Sequence, residues 1–134
     1  MKHFVDASVF VAILGDEHDG REWLERLDSS SRTGQLITSP LAIWETVRAL
    51  ARLRRASIKA IEEEIHELRT VFRIAIVTIG EHEGRSAIMA HVAFGKGRHP
   101  ARLNMGDCFA YACAKANDAR LLYKGDDFVQ TDLA

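Results

Sequence analysis

A chain of 134 residues, 47% hydrophobic and 28% charged with net charge -1, is long enough to bury a core of its own and too evenly charged to bind nucleic acid by bulk electrostatics. Any contact with RNA or DNA must be local. The longest apolar run, Val9 to Leu14, closes between Asp6 and Asp16 and is too short for a membrane span or a secretory signal.

Residues 2 to 7, KHFVDA, predict a short buried strand with Asp6 at its carboxyl end, followed by a helix over Val9 to Leu14 with Ser8 as N-cap. A second helix is expected from His18 to Leu27, ended by Ser29-Ser30-Ser31 and Gly34. A second strand, Gln35 to Thr38, leads into Ser39-Pro40, a capping hydroxyl with proline at the first turn, and the helix it starts carries Glu45 and runs to about Arg55. Ser57 caps a further helix, Ile58 to Phe72, whose glutamates face water and whose isoleucines form a stripe. The β-branched run Arg73 to Ile79 predicts a strand covered on both faces. A helix over Glu81 to Phe94, a loop from Gly95 to Arg102, a helix from Leu103 to about Asn117 and a strand Arg120 to Tyr123 complete the pattern, before KGDDF and a polar tail. Cys108 and Cys113 sit on one predicted helix at a spacing that turns them to different faces, as core residues of a reducing compartment rather than a metal knuckle; the cytoplasm is therefore expected.

Strands alternating with helices imply parallel strands and a three-layer α/β/α sandwich around a central parallel sheet, one domain over residues 1 to 134. In such sheets ligands bind beyond the carboxyl ends of the strands, where the strand order reverses. Asp6 and Asp126-Asp127 fall at those ends, and Thr38 leads into the Glu45 helix. Asp107 shares its helical stripe with Ala110, Tyr111 and Ala114, an inward face where a carboxylate is costly unless a cation or several donors meet it. Each acid alone is weak evidence: an Asp after a first strand occurs in several α/β folds, Glu45 could be a surface pair with Arg48, and Asp126-Asp127 a turn. Their joint delivery to one edge is what carries weight.

Gathered carboxylates take up protons near neutrality unless a divalent cation holds them ionised, and an all-oxygen set selects Mg²⁺ or Mn²⁺ over zinc. One such ion, or two about 3.5 to 4 Å apart, can activate water and clamp a phosphodiester. Other chemistries lack their residues. Asp6-Ala7-Ser8 has no DxD pair, His66-Glu67 does not extend to HExxH, the other histidines are scattered, and neither a GxxxxGK[ST] loop nor GxSxG occurs. Lys96, Arg98, His99 and Arg102 crowd the loop before Asp107 and suit phosphate contact without base reading. Ser8 and Asn104 could hydrogen-bond a ligating carboxylate, although helix capping explains both.

The segments FVDASVFVAIL, SPLAIWETVRAL, GKGRHPARLNMGDCFAYACAKA and LLYKGDDFVQTDL resemble the PIN-domain ribonucleases, in particular the VapC-type toxins of bacterial toxin-antitoxin modules, over nearly the whole chain. The resemblance implies a Mg²⁺- or Mn²⁺-dependent endoribonuclease, often homodimeric and held inactive by a cognate VapB-type antitoxin. Carried over by position, its acids fall on Asp6, Glu45 and Asp107, with the fourth on Asp127 or its neighbour Asp126. The helix Ile58 to Phe72 and the Trp44 region are the expected dimer contacts. The rival reading is a non-catalytic module whose acidic pocket docks an arginine-bearing partner.

Overall fold

Every strand of the computed structural model, which describes residues 1–134, places apolar side chains on both of its faces, so helices can cover the sheet above and below. The chain runs β1 (Lys2–Val5), α1 (Ala7–Leu14), α2 (Gly20–Thr33), β2 (Gln35–Thr38), α3 (Pro40–Leu53), α4 (Ile58–Phe72), β3 (Ala75–Ile76), α5 (Glu81–Phe94), α6 (Met105–Ala116) and β4 (Ala119–Leu122). The sheet order is β3-β2-β1-β4 and all pairings are parallel. Phe4, Ile37 and Leu121 point into one layer with α5 and α6, while Val5, Leu36 and Leu122 point into the other with α1 and α2. Phe4 and Phe10 are fully buried in these two layers, each contributing about 2 to 3 kcal/mol through its ring.

This order places the reversal of strand sequence at β1: the chain leaves β1 for β2 on one side and returns to its other side as β4. Val5 is level with Leu122, and the Asp6 amide donates to the Leu122 carbonyl at 3.0 Å. Asp6 and the KGDDF loop therefore leave the sheet side by side, at the place where open α/β sheets bind ligands.

Three expectations need correction. The N-cap of α1 is Asp6, not Ser8. α2 continues through the serines to Thr33, because Ser31 and Thr33 hydroxyls donate back to the Asp28 and Ser30 carbonyls instead of diverting the backbone. The run Arg73 to Ile79 gives only a two-residue strand at the sheet edge, with Ile74 buried and Ile76 exposed, since it has a neighbour on one side alone. Cys108 and Cys113 are both free, buried core residues, as expected, on a helix enclosed on nearly all sides.

α3 and α4 pack on each other through Leu50, Ile61 and Ile65, and Arg54 donates to both oxygens of Glu64 at 2.9 and 2.8 Å. Ile61, Ile65 and Leu68 of the α4 stripe are thus spent inside the chain, whereas Ile58 is 54% and Trp44 56% exposed. No helix is long and apolar enough to cross a membrane.

Candidate active site

Asp6 adopts extended backbone at the end of β1 and caps α1 with its own side chain. Its Oδ2 accepts from the Ser8 amide at 3.1 Å and the Ser8 hydroxyl at 2.6 Å. The same hydroxyl accepts from the Lys124 amide at 2.9 Å, so Ser8 ties the first acid to the loop after β4. Burial pushes the Asp6 pKa up, the Ser8 hydrogen bonds oppose it, and the charge of Asp127 adds to the rise.

Glu45 lies in the second turn of α3, which starts where the Ser39 hydroxyl accepts from the Ala42 amide at 3.0 Å and Pro40 occupies the first turn. No hydrogen bond or ion pair within the chain engages its carboxylate. Its pKa is pushed up to about 7, first by burial and then by the charges of Asp6 and Asp107. Asp107 occupies the third position of α6 in a reciprocal cap: its amide donates to Asn104 Oδ1 at 2.9 Å, and the Asn104 amide donates to Asp107 Oδ2 at 3.1 Å. Only 8% of Asp107 is exposed. Burial raises its pKa to about 7; the Asn104 amide works against this, and the charges of Asp127 and Asp6 reinforce it. Asp6 and Asp107 each sit at a helix N-terminus, whose partial positive charge repays only part of that cost.

Asp126 and Asp127 are exposed on a loop pinned on both sides. Lys124 Nζ donates to Glu17 at 2.9 Å and to Asp19 at 2.8 Å, and Phe128 is fully buried beyond the pair. The charge of Asp127 acts on Asp6 and on Asp107, whereas Asp126 only shares a cleft with Asp107. That cleft, about 390 Å³, also receives Lys96, Arg102 and Asn104. Arg98 is exposed on the same loop but does not line it. His99 serves the loop itself: its Nδ1 accepts from the Ala101 amide at 3.0 Å and its ring meets Phe94 edge-on at 5.2 Å.

Asp6 and Asp107 thus come within electrostatic reach of each other and of both Glu45 and Asp127, and the ion pairs of the chain lie elsewhere. No three of these side chains are drawn into a ready metal-ligand shell. Carboxylates held together by burial alone stand back from each other. The donor set is all oxygen, negatively charged and unmet by any Lys or Arg, which fits a hard divalent cation and not zinc. Sequence reasoning missed Lys124, whose partners Glu17 and Asp19 are more than a hundred residues away in the chain, and no local pattern signals such a pair.

The fold and this acid cluster at the β1/β4 switch define a class. A PIN domain model matches residues 3–133, and the chain belongs to the PIN domain family. Within that family it groups with the VapC ribonucleases. A VapC ribonuclease of Rhizobium meliloti (strain 1021) is 46% identical over 141 residues, covering 97% of this chain and 98% of the relative. The ribonuclease VapC30 of Mycobacterium tuberculosis (strain ATCC 25618 / H37Rv) is 33% identical over 132 residues, covering 97% and 95%. A solved toxin-antitoxin complex from Klebsiella pneumoniae contains a chain with the same fold, at a TM-score of 0.72 and 14% identity, covering 98% of this chain and 93% of that one.

Proposed function

We propose that the protein is the endoribonuclease toxin of a VapBC module, that it hydrolyses RNA with Mg²⁺ or Mn²⁺, and that a VapB-type antitoxin neutralises it. The observation that carries this reading is a group of acids with no cationic partner, Asp6 and Asp107 buried and Glu45 half-buried, with Glu45 and Asp107 both raised to about 7, at the switch point of a VapC-like chain. Asp6, Glu45 and Asp107 would hold the cation, with Asp127 as the fourth acid and Asp126 its alternate. When bound, the cation supplies activation of water and stabilisation of charge on the phosphate undergoing attack.

The chain's own residues supply the rest. Lys96 and Arg102 in the cleft hold backbone phosphates, with Arg98 contributing from the rim. Ser8 fixes the Asp6 carboxylate, and the Asn104 amide holds one oxygen of Asp107, leaving the other without a hydrogen bond in the chain. Ser8→Ala should lower kcat about tenfold with little change in KM for RNA, measured under single-substrate cleavage, because it removes the hydroxyl bond to Asp6, leaving only the amide bond, without touching the phosphate contacts.

Water is the nucleophile here, so the RNA 2′-hydroxyl is not required and the products carry 5′-phosphate and 3′-hydroxyl ends. Antitoxin-free protein should cut RNA in Mg²⁺ and stop in EDTA, with those ends; 2′,3′-cyclic phosphates would reject the mechanism. The rival, a non-catalytic pocket for an arginine-bearing partner, rests on the same unpaired acids, which would accept a guanidinium as readily as a metal. Such a module would cut nothing under either condition. The reading also includes a cytoplasmic homodimer. Exposed Ile58 at the start of α4 and exposed Trp44 remain of the two expected contact regions.

A further inference from the structure

Gly106 occupies the second position of α6, one residue before Asp107, and is buried. Glycine is among the poorest helix formers, and Gly106 is not among the residues with positive φ, so the backbone does not require it. Space does. A Cβ built there would lie 2.0 Å from Glu45 Oε2, 2.6 Å from its Cδ and 2.8 Å from Oε1, and these are the three nearest atoms it would meet. The one thing a side chain at 106 would disturb first is therefore the Glu45 carboxylate, reaching across from α3.

We propose that Gly106 is a positioning residue: its missing side chain is the seat in which the Glu45 carboxylate lies beside Asp107, and any larger residue there pushes Glu45 out of the acid cluster. Because Glu45 is the far end of a flexible side chain, it can swing away and let the helix form. The cost then falls on the geometry of the site and not on folding. This rests on the nuclease reading for its consequence in metal binding, but not for the seat itself.

The test is a double-substitution cycle of Gly106→Ala and Glu45→Ala, read by metal-free thermal unfolding, Mn²⁺ titration calorimetry and RNA cleavage. Gly106→Ala alone should leave the metal-free protein folded, weaken Mn²⁺ binding about tenfold or more, and lower kcat with KM for RNA little changed. In the Glu45→Ala background the same substitution should cost no further Mn²⁺ affinity, since there is no carboxylate left to displace, and should raise Tm by more than it does alone. An unchanged Mn²⁺ affinity after Gly106→Ala, or an equal loss with and without Glu45, overturns the proposal. Should the parent protein bind no Mn²⁺, the nuclease reading fails and the Tm cycle still decides: equal Tm changes in both backgrounds reject the seat. A Gly106→Ala protein that folds only when Glu45 is Ala overturns the proposal, since Glu45 then does not swing aside, and one that fails to fold in both backgrounds rejects it as well.

Discussion

Asp107→Asn should abolish RNA cleavage, by about a hundredfold or more, while leaving the metal-free protein as stable as the parent or slightly more so. The two effects separate because the two oxygens of Asp107 have different duties. One accepts from the Asn104 amide and closes the cap of α6, a bond that the asparagine carbonyl can also accept. The other adds negative charge to a buried site that already holds Asp6 and faces Asp127. Removing that charge relieves repulsion and desolvation, worth about 1 kcal/mol after allowance for solvent. Parallel chemical denaturation and cleavage assays on the purified variant check this. A drop in metal-free stability of about 2 kcal/mol or more would make Asp107 a structural acceptor instead.

The second large effect is on pH dependence. Glu45 and Asp107 titrate at about 7 in the folded chain, against about 4 in an unfolded one, and Asp6 is shifted in the same direction. Between those values the folded form keeps protons that the unfolded form has lost. The contribution of these acids to stability is therefore fully present below about pH 4, is lost as pH rises toward 7, and is level above that. Asp19 and Asp132, held below the ordinary range first by hydrogen bonds from Lys124 and Lys115, act oppositely and lose their contribution only as pH falls through the acid range. Between pH 5 and 8 the metal-free Tm should decline, and the decline should shrink in Asp107→Asn. Mg²⁺ should reverse it at pH 8, where the acids are free to bind, by about 2.7 kcal/mol at a hundredfold excess over Kd. A Tm that is flat from pH 5 to 8 and indifferent to Mg²⁺ would mean that these carboxyls are not gathered in solution.

Much of the candidate site was legible in the sequence because its acids stand at or near the starts and ends of regular elements. Asp6 comes right after a strand, Glu45 lies on a helix that Ser39-Pro40 announces, and Asp107 breaks the apolar face of a helix; one-dimensional pattern carries all three. The two-residue β3 was not legible, since a β-branched run reads alike whether it has one neighbour or two, and sheet order decides which. Asp6 as a cap was missed because both Asp6 and Ser8 are good caps, and only the position of the strand end chooses between them. KGDDF favours Asp127 over Asp126 only slightly, because two adjacent acids in a turn read alike; the charge of Asp127 is the one that bears on Asp6 and Asp107. Lys124 and the contact of Gly106 with Glu45 depend on side chains from distant elements, and nothing within a few residues of either reports them.

The central claim is that Asp6, Glu45 and Asp107 close around a divalent cation. Crystals of the antitoxin-free protein grown with Mn²⁺, with diffraction collected at the manganese edge, test it most directly. The expected result is an anomalous peak bonded by oxygens of those three side chains at the carboxyl ends of β1 and β4, with the Asp127 loop drawn toward it. A well-ordered site in Mn²⁺-saturated crystals with the three carboxylates apart, or a peak held by other residues, would contradict it.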